Sequence, residues 1–155
     1  MSASLIFDSA PIGSIVSWSD GTPRPPNRFN KKLTAWETRN GHGRLIRKEP
    51  PRTVGKHDLQ ASFTVHLGDF GGGSVVLIKM HRTFSLATNL VFTVIARPSA
   101  GSIRIFDRAG ENRELLHLAT DRATADAWLT AHLYPNAVLE VVTDDVASNS
   151  PGRSP

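Results

Sequence analysis

His66, His81 and Asp69 are close enough in sequence to meet near one end of a β-hairpin, and no other trio in the chain is better suited to acid–base or metal chemistry. Imidazole changes charge near neutral pH, so two rings beside a carboxylate could move a proton or hold a cation. Lys79, placed between the rings by the same hairpin, opposes a cation. A solvated polar sheet face explains the trio without any chemistry, so no catalytic and no metal-binding residue is assigned. His42 and His57 border a basic segment, His117 falls in an apolar strand and His132 closes a helical stripe; these four read as structural.

Several chemistries are removed outright. The chain has no cysteine, which excludes disulfides, thiolate nucleophiles and cysteine-based zinc sites. Asp69-Phe70-Gly71 copies a magnesium-binding tripeptide of protein kinases, but 155 residues are too few and the catalytic-loop and lysine signatures are missing. Gly71-Gly72-Gly73 lacks the Gly-Lys-Ser/Thr ending of a phosphate-binding loop and joins two strands rather than a strand and a helix. No cofactor is expected.

Charge is the stronger signal. The formal net charge is +4, yet residues 21–60 carry ten Lys or Arg against Glu37, Glu49 and Asp58, and everything outside that segment is net negative. Such asymmetry suits a polyanionic partner, although a solvated basic face produces it too. Arg24, Arg28, Lys31, Lys32, Arg39, Arg44, Arg47 and Lys48 are the candidate anion contacts, with His66, Lys79 and His81 extending them across a sheet face.

These residues need elements to hold them. Pro23-Arg24-Pro25-Pro26 favours an extended lead-in; Pro23, Pro26 and Arg28 also spell a short proline-recognition pattern, for which a rigid approach to a helix is explanation enough. Phe29, Leu33 and Trp36 then recur at i, i+4 and i+7, predicting a helix over 28–40 that buries this stripe, capped by Asn27 or Asn30 and ended by Gly41. Arg28, Lys32 and Arg39 fall on the adjoining flank. Arg28, Lys31 and Lys32 lie where the helix dipole disfavours positive charge, so they cost stability unless an anion sits nearby.

Strands are expected at 4–7, 14–18 and 44–48. Leu59 to Leu67 alternates apolar and polar residues as a half-buried strand does, and 74–84 returns as its hairpin partner. A two-residue turn at Gly72-Gly73 would pair Leu67 with Ile78, Val65 with Met80, His66 with Lys79 and Thr64 with His81. Further strands are expected at 90–96, 103–106, 113–118 and 137–143. A second helix follows from Ala125, Trp128, Leu129 and His132, capped by Thr120 or Asp121. The fold class is α+β, either a mainly antiparallel sheet or a partly closed β-barrel, of about seven strands with two helices.

The length fits a single domain over 1–146 containing the basic segment 21–60, with 147–155 as a disordered tail. No apolar run reaches membrane-spanning length, and residues 1–14 lack the pattern of a signal peptide, so a cytoplasmic protein with no membrane partner is expected. The leading functional expectation is a non-enzymatic nucleic-acid-associated protein, DNA or RNA, that contacts phosphates through the basic segment. The alternative is a regulatory or assembly module docking an acidic protein surface. A small hydrolase using His66, His81 and Asp69 is the third reading.

Overall fold

The computed structural model describes residues 1–70 and 78–148. The elements in order are α1 (Ala3–Ser9), β1 (Ile15–Ser19), α2 (Asn30–Arg39), β2 (Gly41–Glu49), β3 (Arg52–Val54), β4 (His57–Leu59), β5 (Ser62–Phe70), β6 (Ile78–Ser85), β7 (Val91–Ala96), β8 (Ile103–Phe106), β9 (Leu115–Ala119), α3 (Arg122–Ala131), β10 (Val138–Val141) and α4 (Asp144–Ser148). One sheet has the order β6-β5-β2-β1-β7, a second β10-β8-β9, and β3-β4 form a two-stranded ribbon. All the pairings are antiparallel. The fold is therefore α+β as expected, and the larger sheet is open, with β6 and β7 at its edges, rather than a barrel. The described residues form ten strands and four helices, more than about seven and two.

Alternation along β5 sends Phe63 and Val65 to one face of the large sheet and Thr64 and His66 to the other. Phe63 meets Phe84 and Phe92 with ring centroids 5.6 and 5.3 Å away, and Trp18 lies 4.9 Å from Phe84. Ala3, Ile6 and Ala10 close this cluster from above. Residues 4–7 are thus part of a helix, not a strand: Ser2 Oγ accepts from Leu5 N, and the buried positions recur at three and four residues. Fewer than two turns leave too short a periodicity to read from sequence.

On the opposite face Ile46, an extra residue where the β2–β5 register shifts, packs with Phe106, Leu115 and Ile12 and joins the two sheets. The far side of the smaller sheet is covered by α3, through Ala125, Trp128 and Leu129 on Ile103, Ile105 and Ala119. Asp121 caps α3, accepting from Thr124 N at 2.7 Å. Arg104, buried in β8, donates to the Ile12 carbonyl at 3.1 Å and to Glu140, which also accepts from Arg113 at 2.7 Å. Burial lowers the Arg104 pKa and the Glu140 carboxylate opposes that shift.

Three local expectations change. The run from Leu59 to Leu67 divides at Gln60-Ala61 into β4 and β5, and β4 turns back on β3 about Gly55, whose φ of +61° suits glycine. In the β5–β6 hairpin His66 pairs with His81 and Thr64 with Thr83, in place of His66 with Lys79 and Thr64 with His81. The expected turn at Gly72-Gly73 lies outside the described residues. The register shifts at a bulge at Leu67, and over 62–66 it is displaced from the expected one by two positions, so each side chain keeps its expected face. The first two residues of the expected tail belong to α4, and 149–155 lie outside the described residues.

Candidate functional site

Arg44, His66 and His81 stand in one row across three neighbouring strands, because Arg44 pairs with His66 and His66 with His81. The two imidazoles meet edge to face with centroids 5.6 Å apart. Gly13, at φ +106°, turns its carbonyl to accept from an Arg44 guanidinium nitrogen at 2.5 Å, and burial pushes that guanidinium below its ordinary pKa. Glu114, just before β9, brings Oε1 to 4.0 Å from His81 Nδ1. Ile46 and Leu115 form an apolar floor, and Leu116, His117 and Leu118 complete a cleft of about 230 Å³ between the two sheets. The His117 ring also stacks on Trp128 at 5.3 Å.

Sequence reasoning thus placed His66 and His81 together but missed Glu114, whose distance of 33 positions from His81 carries no local signal. Arg44 was expected among the phosphate contacts of the basic segment; the register instead gives it to the histidines. The side chains of Asp69 and Lys79, also expected here, lie outside the described residues. Among the described residues no group of three or more His, Asp or Glu could hold a metal ion.

The rest of the basic segment lies elsewhere. Although 28–40 is largely helical as expected, α2 buries none of its side chains, and Phe29 is 41% exposed. Leu33 and Trp36 are only half-buried. Three apolar residues in ten helical positions are too few for a core-facing stripe, which was the signal available in the sequence. Polar bonds anchor the helix instead, and they do so at its C-terminal end. Asp20 Oδ1 accepts from Thr22 N, Thr22 Oγ1 and Asn40 Nδ2, and Asp20 Oδ2 pairs with Arg39 Nε at 2.9 Å. The hydrogen bonds from Thr22, more than the Asn40 and Arg39 contacts, hold the Asp20 carboxyl well below the usual carboxylate range. Trp36 Nε1 donates to the Thr22 carbonyl at 2.9 Å.

At the other end the helix is uncapped: Phe29 occupies the N-cap position and makes no side-chain cap, so neither Asn27 nor Asn30 serves, and Gly41 already belongs to β2. The Arg28 guanidinium lies 4.9 Å and the Lys32 ammonium 5.2 Å from the Phe29 ring centroid. Arg24, Arg28, Lys31 and Lys32 are exposed and form no ion pair among the described residues. Thr34, Glu37 and Thr38 border the same shallow cavity as Trp18 and Arg82, on the side of the sheet that carries the aromatic core. His66 and His81 face the opposite side, so they do not extend the α2 surface.

Of the other expected contacts, Arg39 and Arg47 are paired and Lys48 is half-buried. Arg39 is tied to Asp20, and Arg47 lies 3.1 Å from Glu49 Oε1, close enough to pair though not aligned as a hydrogen bond. Lys48 shares a face with Phe63, and burial pushes its ammonium down to about 8, against the attraction of Asp8. The unfolded chain therefore binds more protons at this position between about pH 8 and the ordinary lysine value of 10.5, and stability should rise with pH across that window. Lys48→Met is expected to remove this rise, which thermal melts of both proteins at about pH 7.5 and 10 would reveal.

A family model matches residues 1–146, a span that contains both the α2 surface and the cleft. The chain belongs to the family described as uncharacterised conserved protein UCP036055. No curated protein and no solved structure matches it. Within the family's span, no helix of the described residues is long and apolar enough to cross a membrane.

Proposed function

We propose that this protein is a non-enzymatic nucleic-acid-binding protein that grips single-stranded RNA or DNA through the exposed N-terminal end of α2. One observation carries the reading: at the N-terminal end of a helix with no buried residue, the Arg28 and Lys32 cations lie against the exposed ring of Phe29, and with Lys31 they are unpaired among the described residues. Cations that track a phosphate backbone, combined with an aromatic face on which a base stacks, are the usual parts of a single-strand site. An acidic protein surface would be served by the charges but has no particular use for the ring.

Fluorescence anisotropy with labelled single strands at low and high salt tests this reading. Binding should weaken steeply with salt, with a slope of about −0.7 per phosphate contact. Phe29→Ala should lower single-strand affinity by about 1–3 kcal/mol and duplex affinity much less. Absent or salt-insensitive binding would overturn the proposal, and a direct complex with an acidic protein that survives nuclease would replace it with the docking alternative.

A further inference from the structure

We infer that the cleft between the two sheets is a second, separate site, which binds the oxyanion of a small phosphorylated molecule between Arg44, His66 and His81. Three strands deliver three nitrogen donors to one row: Arg44 from β2, His66 from β5 and His81 from β6. The Gly13 carbonyl engages one guanidinium nitrogen of Arg44, which fixes the side chain and leaves its fork other donors for a ligand. A planar guanidinium with two imidazoles beside it matches the several acceptor oxygens of a phosphate group. At about 230 Å³ the cleft is below the usual range for drug-sized ligands, so it suits a phosphate with a small organic substituent rather than a polymer.

The charges facing this point come from every surrounding element. Arg44 and the two histidines line the sheet and Glu114 comes from the β9 side; the His117 ring is turned to Trp128 of α3, and the Asp69 and Lys79 side chains lie outside the described residues. Among the described side chains, Glu114, 4.0 Å from His81 Nδ1, is a carboxylate that an arriving anion must displace. The proposal is independent of nucleic-acid binding at α2, since no α2 residue lines the cleft.

Titration of the full chain with sulfate at constant ionic strength, followed through the histidine ring resonances by NMR, tests the site. Shifts of the His66 and His81 rings are expected on addition of sulfate at about pH 5.5. Inorganic phosphate and glycerol 3-phosphate should compete with sulfate, and a preference for the latter identifies the ligand as an ester rather than free phosphate. His66→Gln and His81→Gln should each weaken binding roughly tenfold. Glu114→Gln should tighten it at about pH 5.5, a gain that loss of structure would not produce. Melting curves establish that each variant is folded. No ring shifts at millimolar sulfate or phosphate, or variants that bind as the parent does, would overturn the inference.

Discussion

Exchanging Lys31 and Lys32 together for glutamate is expected to weaken nucleic-acid binding by roughly 25- to 60-fold at about 0.1 M salt, while the protein becomes no less stable. The binding figure follows from counterion release, each phosphate contact contributing a salt exponent of about 0.7 on single strands and 0.9 on duplex; reversing the charges adds repulsion. The stability figure has the opposite sign. Neither an acidic side chain in the first turn nor a side-chain cap stabilises the N-terminus of α2, where both lysines oppose the positive end of the helix dipole. Glutamate there contributes about 0.3–1 kcal/mol per position, offset in part by loss of the Lys32 contact with the Phe29 ring, about 0.5–1 kcal/mol. Anisotropy and thermal melts on the same sample would read the two effects. Binding that survives the double reversal would remove the α2 proposal, and a large drop in melting temperature would show that the lysines support the fold instead.

Phe63→Ala should produce the largest loss of stability, about 3–5 kcal/mol. The side chain is fully buried between Phe84 and Phe92 in the aromatic core on one face of the large sheet, and its truncation leaves a cavity that two packed aromatic rings cannot readily fill. For a domain whose total stability is about 5–15 kcal/mol, and which loses about 2–4 °C per kcal/mol, the midpoint should fall by roughly 6–20 °C. Urea or thermal denaturation measures the change directly. A loss below about 1 kcal/mol would mean that the core closes over the gap and that the aromatic cluster is not the main support of β5. By contrast Phe29→Ala, at an exposed position, should stay within about 0.5 kcal/mol of the parent.

Phe63 and Phe29 also mark where sequence reasoning holds and where it fails. The alternation around Phe63 extends over enough residues to specify a strand and the face each side chain takes, and that assignment survives a register displaced by two positions. Phe29 begins an equally regular pattern, but periodicity reports only which residues share a side of a helix. Whether that side meets a partner depends on what the rest of the chain places against it, and here the polar bonds around Asp20 and Asn40 hold α2 while leaving its far end in solvent.

The amino-acid sequence alone determined the α+β class, the antiparallel strands, the two longer helices and the concentration of positive charge in 21–60, because these depend on composition and on spacings of a few residues. Tertiary structure alone decided which charges act together. Arg44 joined His66 and His81 through strand pairing, Glu114 reached them by the packing of one sheet on the other, and Arg24, Arg28, Lys31 and Lys32 were left exposed and without an ion pair among the described residues. The spacing of charges along a chain specifies only local neighbours, whereas a site is a set of distances between elements. Here those distances follow from sheet order and from a bulge at Ile46 that no local pattern encodes.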